Sequence, residues 1–152
     1  MKMKKLRVLL LGGGGREHAV AWKISQSEML DQLFVAPGNG GTQEIATNLA
    51  FSETDFEALK RALLDHKIDL VVVGPEAPLV LGVREFIEQD AEIGHVKIVG
   101  PGKVGAQLEG SKSFSKQFME RHNIPTARFG EFNASQLDEA VKFLDSFNPP
   151  YV

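Results

Sequence analysis

The run Leu6-Arg7-Val8-Leu9-Leu10-Leu11, followed at once by Gly12-Gly13-Gly14-Gly15, constrains this chain more than any other feature. An apolar run without periodicity reads as a strand covered on both faces, the situation of a parallel sheet. Four glycines end it. Residues 16–26 then read as a helix with Val20, Ala21 and Ile24 on one side. The alternation recurs. Leu33-Phe34-Val35-Ala36 is a second buried run and ends in the loop Pro37-Gly38-Asn39-Gly40-Gly41-Thr42. Residues 51–66 contain a helix, capped by Ser52, Thr54 or Asp55, with Phe56, Leu59, Leu63 and Leu64 as its buried stripe. Residues 69–73 form a strand rich in valine, stopped by Gly74-Pro75-Glu76-Ala77-Pro78. A helix over about 79–90 and a strand over 96–99 follow, closed by Gly100-Pro101-Gly102. Strands alternating with helices at this spacing predict an α/β fold. It is a Rossmann-like parallel sheet with right-handed crossovers and helices on both faces.

The remainder has a different rhythm. Residues 111–122 read as a helix with Phe114, Phe118 and Met119 apolar, and Pro125 ends it. Residues 127–132 alternate weakly, like a strand. Residues 135–147 read as a helix capped by Ser135, with Leu137, Ala140, Val141 and Leu144 on one side. Asn148-Pro149-Pro150 is a turn, and Tyr151-Val152 opens like a strand. The expected division is a first α/β domain over 1–103 and, over 104–152, the opening of a second domain that the chain does not finish.

Composition narrows the chemistry. The absence of cysteine removes disulfides, thiolate zinc sites and cysteine nucleophiles together. A net charge of -3 supplies no bulk attraction to nucleic acid. No stretch approaches the roughly 20 apolar residues of a membrane span, so neither nucleic acid nor membrane is an expected partner. The basic start, Met1-Lys2-Met3-Lys4-Lys5, leads into an apolar run too short for a secretory signal, and a cytoplasmic location is expected. His66, His95 and His122 show no metal-ligand spacing, and Trp22 is expected to pack.

Four glycine-containing segments fall at the carboxyl ends of the predicted strands, where open parallel sheets bind ligands. In the first, backbone amides at a helix start favour an anion, and glycines let it approach closely. Arg16 adds a guanidinium fork for phosphate. A dinucleotide fingerprint is incomplete, because Glu17 takes the position of its third glycine. The second strand ends Val35-Ala36-Pro37, without the carboxylate that would hold a ribose hydroxyl, so NAD is not expected. Residues 105–112, Gly-Ala-Gln-Leu-Glu-Gly-Ser-Lys, imitate a Walker loop, but Ser111 stands where its lysine belongs. Glu17 fits either a ligand contact or a first-turn carboxylate. Asn39 fits either a ligand amide or a turn residue. Glu76 fits either a sugar or amine contact or a helix cap. Lys112 fits either a phosphate contact or a surface lysine.

The segments Gly14-Gly15-Arg16-Glu17-His18-Ala19, Pro37-Gly38-Asn39-Gly40-Gly41-Thr42 and Val73-Gly74-Pro75-Glu76-Ala77-Pro78-Leu79 closely resemble the glycinamide ribonucleotide synthetase family. Gln107-Leu108-Glu109-Gly110-Ser111-Lys112 and Asn123-Ile124-Pro125-Thr126-Ala127 extend the resemblance from about Val8 to Val152. It implies an ATP-grasp ligase of purine biosynthesis that joins glycine to 5-phosphoribosylamine, using ATP and Mg2+ and neither NAD nor haem. The first domain is then the pre-ATP-grasp domain. Gly14, Gly15 and Arg16 sit near the sugar phosphate, with Glu17, Asn39, Pro75 and Glu76 lining the same pocket. Lys112 matches the first ATP lysine. The second ATP lysine, the magnesium carboxylates and the glycine site of the family have no counterpart in these 152 residues. The chain alone is therefore expected to be inactive and to contain no catalytic or metal-binding residue. Gly41 departs from the alanine common in relatives. The alternatives are a non-catalytic dinucleotide-binding module, which needs the missing carboxylate, and an ATP-grasp carboxylase, which is not expected to carry all three motifs.

Overall fold

A computed structural model describes residues 4–148 of the chain. The expectations for Met1 to Met3, for the turn at Pro149-Pro150 and for the strand start at Tyr151-Val152 lie outside the described residues. The chain divides into two compact units, Met1–Gly110 and Ser111–Val152.

In the first unit, strand β1 (Leu6–Gly12) leads to helix α1 (Gly15–Ser25), β2 (Leu30–Pro37) and a 3-10 turn (Thr42–Glu44). Then come β3 (Thr47–Asn48), α2 (Phe56–Asp65), β4 (Leu70–Val73), α3 (Glu76–Leu81), α4 (Val83–Gln89), β5 (Lys97–Val99) and α5 (Lys103–Gly110). The strands lie in the order β3-β2-β1-β4-β5, and every neighbouring pair is parallel. β1 is central, with Leu9 beside Phe34 on one side and Val71 on the other. The order reverses between β1 and β4, which opens a crevice at their carboxyl ends.

The apolar run of β1 is buried because both faces are covered. Leu9 and Leu11 point with Phe34, Ala36 and Val71 into a core completed by Leu59 and Leu63 of α2, Val83 and Ile87 of α4, and Ala106 of α5. Val8 and Leu10 point the other way, to Leu33, Val35 and Ala21 of α1. The two-residue period of the strand thus builds two cores, one on each face. No helix among the described residues is long and apolar enough to cross a membrane.

Several local expectations need correction. The helix expected over 79–90 is two helices. It starts earlier, at Glu76, with Pro75 as its N-cap, and breaks at Gly82, whose φ of 95° is left-handed. The inward residues of α2 are Leu59, Ala62 and Leu63, whereas Leu64 is 41% exposed. On α1 the buried positions are Glu17 and Ala21, and Val20 faces solvent. Trp22, expected to pack, is 56% exposed.

Two elements had no counterpart in the sequence reading. β3 has only two residues. α5 contains Gly105 and Gly110, which weaken a helix signal. Gly110 is nonetheless required there, since a Cβ would come within 2.4 Å of a Val80 methyl on α3.

The second unit contains α6 (Lys112–Arg121), a 3-10 turn (Ala134–Gln136) and α7 (Leu137–Asp145). Ser111 caps α6, its hydroxyl accepting from the Phe114 N–H at 3.2 Å. Ser135, expected as the helix cap, lies inside the 3-10 turn that precedes α7; Asn133 caps that turn, accepting from the Ser135 N–H at 3.0 Å, and α7 itself has no side-chain cap. Residues 127–132 form no strand. No other strand lies in this unit among the described residues, and a strand needs a partner ladder. The segment is held by side chains, including Lys116 on the Ala127 carbonyl and Phe132 against Phe143.

Candidate functional site

At the carboxyl ends of the strands, three glycine loops meet over the switch point between β1 and β4. The floor of the crevice is Glu17. It occupies the third position of α1, is 5% exposed, and accepts from the Gly14 N–H at 2.8 Å. That bond satisfies one of the amides a helix start leaves without an acceptor. The Arg16 Nε lies 3.6 Å from the other carboxylate oxygen. Gly12 and Gly74 press on the same side chain: a Cβ at either would come within 2.5 Å of the Glu17 Cγ. Pro75 closes the same contact, 3.0 Å from the position of a Gly12 Cβ. Glu17 is therefore the first-turn carboxylate, buried where the β1–α1 and β4–α3 loops join.

The loop after β2 begins at a cis Ala36–Pro37 bond and is sewn to the first loop by Asn39. The Asn39 amide nitrogen donates to the carbonyls of Gly13 (2.9 Å) and Gly14 (3.2 Å). Its amide oxygen accepts from the N–H groups of Gly41 (2.8 Å) and Thr42 (3.0 Å). Two donated and two accepted bonds saturate the side chain. Asn39 thus acts as a staple, and its backbone is not left-handed; the positive φ of this loop belongs to Gly38, at 72°. The loops touch backbone to backbone, because a Cβ on Gly13 would stand 2.7 Å from the Gly38 carbonyl oxygen. His18 lies over Gly41, where a Cβ would meet its ring at 2.4 Å, so the glycine at this position has a local steric reason.

Gly15 and Gly40 differ from these. A Cβ at either meets nothing within 4 Å, and neither has a positive φ. Packing does not require a glycine at these two positions. The N–H groups of Gly15 and Arg16, at the first two helical positions, have no acceptor within the helix. The Arg16 side chain is 68% exposed beside them. Free helix-start amides and an exposed guanidinium thus stand together beside bare backbone, an arrangement suited to a small anion.

Glu76 is the first residue of α3 and half-buried at the β4 side of this crevice. The fourth loop is fixed from α4: Arg84 donates to the Gly100 carbonyl at 2.8 Å, and Glu85 accepts from the Lys103 N–H at 2.8 Å. That backbone bond holds the Glu85 carboxyl below the usual carboxylate range. Residues 105–110 lie within helix α5, so the Walker imitation has no phosphate-cradling loop.

In the second unit, Lys112 is exposed in the first turn of α6. Among the described residues, no three His, Cys, Asp or Glu side chains group closely enough to hold a metal ion.

Two partners of Asn39, the buried Thr42 and the half-buried Asn48, do not stand out in the sequence. The spacing Asn39-x-x-Thr42 was the available signal, since an Asn side chain accepts from backbone amides two and three residues on.

Comparison with known proteins bears on this geometry. The family model described as phosphoribosylglycinamide synthetase, N domain, matches residues 6–109, which span the whole sheet and its loops. The chain belongs to this family. It is 46% identical over 149 residues to the phosphoribosylamine–glycine ligase of Haemophilus influenzae, aligning 97% of this chain with 33% of that protein. The crystal structure of the Thermotoga maritima phosphoribosylamine–glycine ligase superposes with a TM-score of 0.66 at 32% identity, over 95% of this chain and 32% of that one. The biotin carboxylase domain of a single-chain bacterial carboxylase gives a TM-score of 0.62 at 22% identity, over 93% of this chain and 34% of that one, a likeness of fold. The chain thus spans about a third of the length of the curated relatives it matches. The Rossmann-like parallel sheet with helices on both faces is shared by the family and by these structures.

Proposed function

We propose that the crevice binds the sugar phosphate of 5-phosphoribosylamine and that the chain forms this side of a phosphoribosylamine–glycine ligase of purine biosynthesis. The supporting observation is the pair Gly15 and Gly40, whose missing side chains leave open space that no neighbour in the chain fills. The phosphate sits on the Gly15 and Arg16 amides, with the Arg16 guanidinium forked onto it. Gly14, Glu17 and Asn39 shape the pocket from beneath through their mutual bonds, and Pro75 and Glu76 bound its far side. This holds the substrate amine at the mouth of the crevice. In the complete reaction ATP phosphorylates the glycine carboxylate, the amine attacks the acyl phosphate carbon, a C–N bond forms, and phosphate leaves. Lys112 is assigned to an ATP phosphate. The magnesium and glycine sites are assigned to the two thirds of the relatives that have no counterpart here. The 152-residue chain is then inactive alone, and glycine-dependent phosphate release from ATP by it would refute that assignment.

The binding test is a thermal-shift titration with ribose 5-phosphate, a stable stand-in for the amine, beside NAD. At ten times Kd, one-site linkage stabilises by about 1.4 kcal/mol, or about 3–6 °C for a chain of this size. The shift is expected with ribose 5-phosphate and absent in Arg16→Ala. Gly15→Ala removes a glycine from a first helical turn, so its melting temperature is expected to hold or rise while the ligand shift disappears. A shift with NAD alone would replace this reading with the dinucleotide module.

A further inference from the structure

The staple beneath the second glycine loop is itself held from below. Thr42 is fully buried. Its hydroxyl oxygen accepts from the Asn39 N–H at 2.8 Å, and its proton has the Asn48 Oδ1 at 2.8 Å and the Asn39 carbonyl at 3.0 Å as acceptors. Asn48 donates its amide to the same Asn39 carbonyl at 2.8 Å. The chain of bonds therefore runs from Asn48 through Thr42 and Asn39 to the carbonyls of Gly13 and Gly14, immediately before Gly15.

β3 gains its meaning from this network. It pairs with β2 only through Thr47 on Phe34 and Asn48 on Val35, too little to add much to a sheet. What it delivers is the Asn48 side chain beneath the loop. The fit is tight, since a Cβ at Gly38 would meet the Asn48 Oδ1 at 2.4 Å.

We infer that Thr42 and Asn48 are positioning residues for the sugar-phosphate site, setting where the backbones of Gly15 and Gly40 stand without touching the ligand. This rests on the sugar-phosphate reading above. Without the Thr42 hydroxyl, the Asn39 N–H loses its acceptor in a half-buried place. The loop then relaxes toward water, and the Asn39 amide loosens its hold on the first loop.

The test compares Thr42→Val, Thr42→Ser and Asn48→Ala in the 152-residue chain. Asn48→Ala serves if Thr42→Val does not fold. The Kd for ribose 5-phosphate is measured by calorimetry at 25 °C, and amide hydrogen exchange is followed at Gly13 to Arg16. Thr42→Val and Asn48→Ala are expected to weaken binding about tenfold, with Thr42→Ser within about twofold of wild type. Exchange is expected to quicken across the first loop while β1 and β4 keep their protection. A lower melting temperature with the wild-type Kd would mean a purely structural role and overturn the assignment. Failure of the wild-type chain to bind ribose 5-phosphate would overturn the sugar-phosphate reading, and this inference with it. Binding by wild type with unchanged variants overturns the inference alone.

Discussion

Gly13 and Gly40 look alike in the sequence and face opposite constraints in the fold. A side chain at Gly13 collides with the Gly38 backbone carbonyl, which cannot swing away as a side chain would. Gly13→Ala is therefore expected to destabilise by about 1–3 kcal/mol, read from denaturant melts. Gly40→Ala meets nothing and is expected to change stability by less than about 0.5 kcal/mol. If the sugar phosphate lies over Gly40, the same substitution weakens ribose 5-phosphate binding in calorimetry. The placement of the glycine loops is legible in the sequence, because it follows from strand ends. The duties of single residues are not. Whether Asn39 binds a ligand or sews two loops depends on carbonyls 25 and 26 residues earlier in the chain. Local spacing carries no trace of that contact.

At the scale of elements, legibility followed burial. β1 and β4 were read from apolar runs that two covered faces demand, and α2 from an amphipathic stripe whose cap the structure resolves to Asp55. Its carboxylate accepts from the Ala58 N–H at 3.0 Å. Asp55→Ala is expected to lower stability by about 1 kcal/mol, with urea melts as the check. Elements that depend on tertiary contact were misread. α5 survives two glycines because Glu85 caps it and Val80 packs on Gly110. The 79–90 stretch carries an unbroken apolar pattern, yet Gly82 turns left-handed inside it. There Gly82→Ala would force a side chain into a φ of 95°. Residues 127–132 alternate like a strand, but alternation supplies no partner.

The molecule as a whole concentrates its order in the first unit. Every buried residue among those described belongs to it, and none of residues 111–148 is buried. Amide protection is accordingly expected to be much lower over 111–148 than in β1 and β4; equal, slow exchange across both would contradict this. Acid should act on the first unit. The Arg7 N–H and the Lys4 ammonium hold Asp69 below the usual carboxylate range, and Lys60 with the Glu92 N–H does the same for Asp90. Glu85 is held down by the Lys103 N–H. A carboxyl whose pKa is lower when folded stabilises above its unfolded value, near 4, and loses that contribution as pH falls through the folded value. Melting temperature is expected to drop below about pH 4, and less steeply in Asp69→Asn.

The central place of β1 has a consequence during synthesis. β1 leaves the ribosome before both of the strands that flank it in the sheet, and its β4 neighbour begins only at Leu70. At about 5–20 residues per second, several seconds pass between the emergence of the two. Throughout that interval the nascent chain presents Val8 to Leu11 along an open, unpaired edge. A ribosome stalled before Leu70 would hold that sticky edge exposed indefinitely.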